Sequence, residues 1–195
     1  MRPLTLDDLI PLEEFADRRR EFFDSHARYL DRYRRVRIGP RLTLLFENRQ
    51  TLWFRVQEIL RVARLAEADR VQQELDLYNR LLPGGERLQA ALVIDIQEQG
   101  RLVQELAFWQ SLKGDNLRLE IGPAHWPARL VTCRPEDRAI GAAHWVQFDL
   151  DAAGQKALAD FRRPAYFEIL HGAYHHLSPV LSEDVRQSLV DDLKA

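Results

Sequence analysis

With 195 residues, 46% of them apolar and 30% charged, the chain can bury its own core and is too apolar to stay disordered. A formal net charge of -2 argues against a protein built mainly to coat nucleic acid. Cys133 stands alone, which excludes an intramolecular disulfide and cysteine-ligated electron-transfer clusters, and suits a reducing compartment.

The N-terminal MRPLTLDDLIPLEEF carries acids where a signal peptide needs an apolar run. No stretch approaches the roughly 18 uninterrupted apolar residues of a membrane span. A cytoplasmic chain forming a single domain over 1–195 is the expectation.

Thr5 and Asp8 have the spacing of an N-cap with an acid at N3. Apolar positions 12, 15, 16, 22, 23, 30 and 33 predict a helix ending near Arg34, with Arg19 and His26 in the same stripe. RVRIGPRLTLLFE reads as two short strands about Gly39-Pro40. Asn48 suits the N-cap of a helix over 49–67, and Asp69 that of another over 70–82, stopped by Pro83-Gly84-Gly85. LQAALVIDI, apolar on both faces, predicts a central strand over 88–96, followed by a helix over 98–112. Strands are expected at 117–121, 128–133 and 143–150, then a helix at 152–161, a strand at 164–171 and a terminal helix at 181–193. The predicted fold class is α+β, a helical N-terminal half packed on a mixed, mostly antiparallel sheet.

Four groups of residues invite a chemical reading. On the helix after Asn48, Leu52, Trp53, Val56, Ile59, Leu60 and Ala63 make one apolar face, while Phe54 and Leu65 lie opposite, near Glu58 and Arg61. A helix apolar on two sides is covered on both. Glu58 then reads either as a metal or acid–base carboxylate, or as half of an ion pair with Arg55 or Arg61. Glu47, at a strand end, reads as an active-site edge or as a partner of the helix N-terminus. In HGAYHH, His171 shares a strand face with Ala165, Phe167 and Ile169, and Gly172 permits a sharp departure from the sheet. His144 alternates with Val146, Phe148 and Leu150 while Trp145 faces the other way; it would pair with His171 if their strands were neighbours. The arginine run 28, 32, 34, 35, 37 and 41, interleaved with Tyr29 and Tyr33, is a candidate anion or partner surface, with Arg35, Arg37 and Arg41 at its strand end. No Gly-rich phosphate loop, G-x-S-x-G or H-E-x-x-H motif occurs.

RVRIGP (35–40), LLFE (44–47), T-x-x-x-x-x-Q-E-x-L-R (51–61), EL-x-x-YN-x-x-x-P-x-G (74–85), AHWVQFDL (143–150) and H-x-AY-x-H (171–176) occur in this order. Together they resemble an uncharacterised bacterial family, domain of unknown function three-five-zero-one, over nearly the whole chain. The resemblance implies a cytoplasmic protein often encoded beside a rubrerythrin and an iron–sulfur oxidoreductase, a setting of redox or peroxide defence. Arg55 and Ala63 stand where the family pattern has glutamine and glutamate, and His171-Gly172-Ala173-Tyr174 where it has His-Pro-Ala-Tyr. The loss of a carboxylate at 63 weakens a di-iron reading.

Three functions follow as expectations. The first is a binding or accessory protein for a rubrerythrin or iron–sulfur redox partner, which a homodimer would also serve. The second is an enzyme with Glu47, Glu58, His171 and Tyr174 as acid–base groups, or with Glu58, His144 and His171 holding a metal. The third is RNA or nucleotide binding. The sequence specifies no cofactor.

Overall fold

Among the described residues, the alternation of apolar and polar side chains from Arg35 onward builds eight strands that pair only antiparallel, in the order β1-β2-β3-β6-β5-β4-β7-β8. They are β1 Arg35–Ile38, β2 Leu42–Phe46, β3 Arg87–Ile94, β4 Leu117–Ile121, β5 Ala124–Val131, β6 Ala143–Asp149, β7 Ala165–His171 and β8 Tyr174–Leu177. Among the described residues seven α-helices accompany them: α1 Leu12–Asp17, α2 Arg19–Tyr29, α3 Arg49–Ala63, α4 Ala68–Asn79, α5 Leu102–Gln110, α6 Ala152–Ala159 and α7 Glu183–Lys194. The computed structural model describes residues 1–96, 100, 102–131 and 143–195. Cys133 lies outside these residues, as do parts of the helix predicted from 98 and the end of the strand predicted over 128–133.

The sheet curls into a nearly closed barrel. The corner is made by β5, whose first half pairs with β4 and whose second half, from Ala128, pairs with β6. Pro127 sits at the changeover, where pairing to β6 has not begun and a missing N–H costs nothing on that side. This arrangement corrects the expected architecture. The helices are not a separate N-terminal half laid on a mixed sheet: β1 and β2 come from that half, every pairing is antiparallel, and α5–α7 alternate with the later strands. The physical reason is that a curled sheet buries one face against itself. Val36, Leu44, Phe46, Leu92, Phe148 and Phe167 belong to one core cluster, to which α7 adds Val185, Leu189 and Val190.

The outer face of β2, β3 and β6 is covered instead by α3 and α4. A second cluster forms there from Leu52, Val56, Leu60, Val71, Leu75 and Tyr78, with Trp145 and Trp53 packed against it. The opposite side of α3 is covered as well. Phe54 is buried beneath His26, whose ring stacks on it at 4.1 Å, and beside Phe15 and Phe23. The predicted single helix up to Arg34 is broken at Arg18 and ends in a π-helical turn over Leu30–Arg34, which buries Arg34.

Candidate functional site

α3 begins as its sequence indicates. The Asn48 side chain accepts from Thr51 N at 3.0 Å, and Asn48 N donates to Thr51 Oγ1 at 2.9 Å, closing a reciprocal cap. The same threonine hydroxyl donates to the buried Glu47 carboxylate. One turn on, Arg55 reaches back to Glu47 at 2.6 Å and lays its guanidinium over the Trp145 ring at 4.9 Å. Glu47 is thus placed at the helix entry as expected, and its charge is matched by Arg55 and not by the helix terminus alone.

Glu58 is held by Arg19 through two hydrogen bonds, at 2.8 and 3.2 Å, and by Arg61 at 3.0 Å. Burial pushes its carboxyl up, but the bonds from Arg61 and Arg19 more than reverse this and hold it below the ordinary range. Of the two expected partners only Arg61 is used; Arg55 turns to Glu47, and Arg19 from α2 takes its place. The stripe that carried Arg19 and His26 in the sequence is the one that meets α3.

Glu47, Glu58, Thr51 and Arg55 line one cavity of about 180 Å³ with Leu30, Leu45, Phe54 and His26. His26 is the member the sequence reading did not single out as a site residue. Its ring is pushed down to about 4 by burial first, then by the positive charges of Arg55 and Arg35, so it is neutral at pH 7. Two buried nitrogens of this cavity's lining residues, His26 Nδ1 and Arg55 Nε, have no hydrogen-bond partner among the described residues. On the other side of Arg55 and Leu45 a cleft of about 340 Å³ opens between α3–α4 and the sheet. Its floor is Ala91, Val93 and Ala143, its walls Leu77, Tyr78, Leu81 and Trp145, and His144 borders it.

The remaining candidates lie elsewhere. His171 packs between Phe108 and Trp109, and its Nε2–H donates to the Phe108 carbonyl at 2.9 Å. The Tyr174 hydroxyl donates to Ile38 O at 2.7 Å and accepts from Arg41 N at 3.1 Å, so the phenol bridges β8 to the β1–β2 turn across the open seam of the barrel. Burial pushes this phenol up. Between β6 and β7 stand β5 and β4, so His144 and His171 are not on neighbouring strands. The structure brings Glu47 and Glu58 to one cavity and leaves His144, His171 and Tyr174 outside its lining. Among the described residues no group of three or more His, Cys, Asp or Glu side chains could hold a metal ion.

The arginine run also divides. Arg34 is buried against Asp192 of α7, Arg32 pairs with Asp184, Arg35 with Asp31, and Arg41 with Glu105, while Arg37 stands exposed. Arg34 Nε donates to Tyr29 Oη at 3.1 Å, and Asn48 Nδ2 donates to the same oxygen at 2.8 Å. A continuous polar chain therefore runs from Asp192 through Arg34, Tyr29, Asn48, Thr51 and Glu47 to Arg55. Burial lifts the Asp192 carboxyl to about 6 against the pull of Arg34. Among the described residues no helix is long and apolar enough to cross a membrane.

The chain matches the family model described as Protein of unknown function (DUF3501) over residues 3–193. It is similar to the crystal structure of a novel protein of unknown function from Burkholderia pseudomallei K96243. Identity is 29%, with a TM-score of 0.89, covering 99% of this chain and 100% of that one. No curated protein matches it significantly.

Proposed function

The chain belongs to the DUF3501 family of proteins of unknown function, and from that premise we propose that it is a binding protein whose ligand is a small organic molecule seated between α3–α4 and the barrel wall. The supporting observation is the cleft itself. About 340 Å³ falls within the range of small-molecule pockets, and aromatic walls, an alanine floor and one guanidinium are what such pockets are made of. Both carboxylates nearby are already held by arginines, which favours binding over acid–base chemistry by Glu47 or Glu58. The expected link to redox or peroxide defence through a rubrerythrin or iron–sulfur partner draws no support from the fold, the cleft or the family description.

The test uses 1-naphthol, a neutral bicyclic probe, and the Trp145 indole resonance, assigned with Trp145→Phe. Saturable movement of that resonance below about 1 mM probe is the expected result. Ala91→Leu, which fills the floor, should abolish it while the thermal midpoint stays within a few degrees. A Trp145 signal indifferent to the probe overturns the reading, and so does binding that survives Ala91→Leu in the folded variant.

A further inference from the structure

We propose that the smaller cavity beyond Arg55 is an oxyanion subsite that takes the carboxylate of a small organic acid, recognised jointly by His26 Nδ1 and Arg55 Nε. The inference rests on the binding reading above and names the ligand's head group.

The argument starts from unmatched polarity. A buried nitrogen without a hydrogen bond is costly, and such atoms in a folded protein are uncommon. Here two occur on residues that line one cavity, and the pair is selective. Arg55 Nε is a donor only. His26 is neutral at pH 7, so its Nδ1 can carry the proton and donate as well. Two donors on one cavity ask for one acceptor group, and a carboxylate offers two oxygens to them.

The charge balance agrees. Glu47 and Glu58 also line the cavity, yet their partners are Arg55, Arg19 and Arg61, so three guanidiniums stand against two carboxylates. One positive charge is left over, and Arg35 lies close enough to repel a proton from His26. A cavity of about 180 Å³ has room for several water-sized groups, hence for a carboxylate with a short carbon chain. Arg55 and Leu45 border both this cavity and the larger cleft, which would place the acid's apolar body against Trp145.

The experiment titrates the intact protein with acetate and, separately, with acetamide at constant ionic strength, following the His26 ring resonances and the Trp145 indole. Acetate should shift His26 saturably below about 50 mM, acetamide should not, and 1-naphthoate should bind at least about tenfold tighter than 1-naphthol. Arg55→Lys keeps the charge on Glu47 but lacks Nε, and should lose most of the acetate response while remaining folded. His26→Phe should lose the preference for naphthoate over naphthol. If naphthol moves Trp145 but acetate leaves His26 unchanged, the subsite falls and the cleft stands. If acetate moves His26 and naphthol does nothing, the subsite stands and the cleft reading falls. Equal responses to acetate and acetamide mean a water-filled cavity and overturn the subsite.

Discussion

At the seam between β8 and the β1–β2 turn, Tyr174 both donates and accepts, and His171 gives its Nε2–H to a carbonyl. The indole nitrogen of Trp109, which has no described partner, is fully buried against the rings of Phe108, His171 and Tyr174. On the α3 flank the same kinds of side chain are present, but His26 and Arg55 keep unmatched nitrogens and line open space. The seam uses its tyrosine and histidine to finish a barrel that its strands leave unclosed. The flank uses its carboxylates and arginines to hold one another in place around a cavity. What separates scaffold from site here is whether hydrogen-bonding capacity remains beside a cavity, and residue type does not decide it.

That contrast is broken most directly at Gly39. Its φ is +66°, and a Cβ there would lie 2.5 Å from the His176 ring and 2.7 Å from the Tyr174 hydroxyl. Gly39→Val should cost about 3 kcal/mol or more in urea unfolding, because strain in the left-handed region adds to overpacking. Tyr174→Phe should cost about 2 kcal/mol by leaving Ile38 O and Arg41 N without their partner. If the seam is scaffold, folded Tyr174→Phe protein binds 1-naphthol as the parent does. A change in that affinity would join the two regions functionally and end the distinction.

Tyr29→Phe probes the flank with a smaller stability loss, about 1 kcal/mol, by removing the oxygen to which Arg34 and Asn48 both donate. Its sharper readout is the His26 resonance. Tyr29 is three hydrogen bonds from Glu47 through the Asn48–Thr51 cap, so loosening it should move His26 and change acetate affinity. An unaltered His26 spectrum would show that the polar chain from Asp192 ends at the cap and does not reach the cavity.

Much of this architecture was legible in the sequence because it follows periodicity and local chemistry. Asn48 as a cap, Leu117–Ile121 as a strand and Trp145 turned away from His144 needed only alternation and capping rules. Barrel closure was not legible, since pairing order depends on contacts far apart in the chain; β8, four residues long and directly after the two-residue turn at Gly172-Ala173, is too short to announce itself. Glu47 and Glu58 were visible as candidates. The pairing of Glu58 with Arg19 instead of Arg55, and the entry of His26 into the cavity, depend on how α2 crosses α3. Both residues stood in the α2 stripe, and a charged and a titratable side chain on a buried face were the available signal.

The smallest effect at neutral pH is expected for His26→Phe, below about 1 kcal/mol, since Phe keeps the stacking on Phe54 and removes a buried nitrogen. Its signature is in the pH dependence. In the folded protein burial, then Arg55 and Arg35, push the His26 ring to about 4, against 6.5 for an ordinary imidazole. Between those values the unfolded chain takes up a proton that the folded chain refuses, so this contribution is complete above about pH 6.5 and is lost as pH falls towards 4. Asp192 acts in the opposite sense. Burial lifts it from 3.8 to about 6, so its contribution is complete at low pH and is lost as pH rises through 6. The two slopes oppose each other in the parent over the window they share. Removing His26 should leave the Asp192 slope uncovered, so that chemical unfolding of His26→Phe shows stability rising as pH falls from about 6.5 towards 4, relative to the parent. Superimposable profiles would mean that His26 protonates in place, that the flank is open to water, and that its unmatched nitrogens are solvated like any surface group.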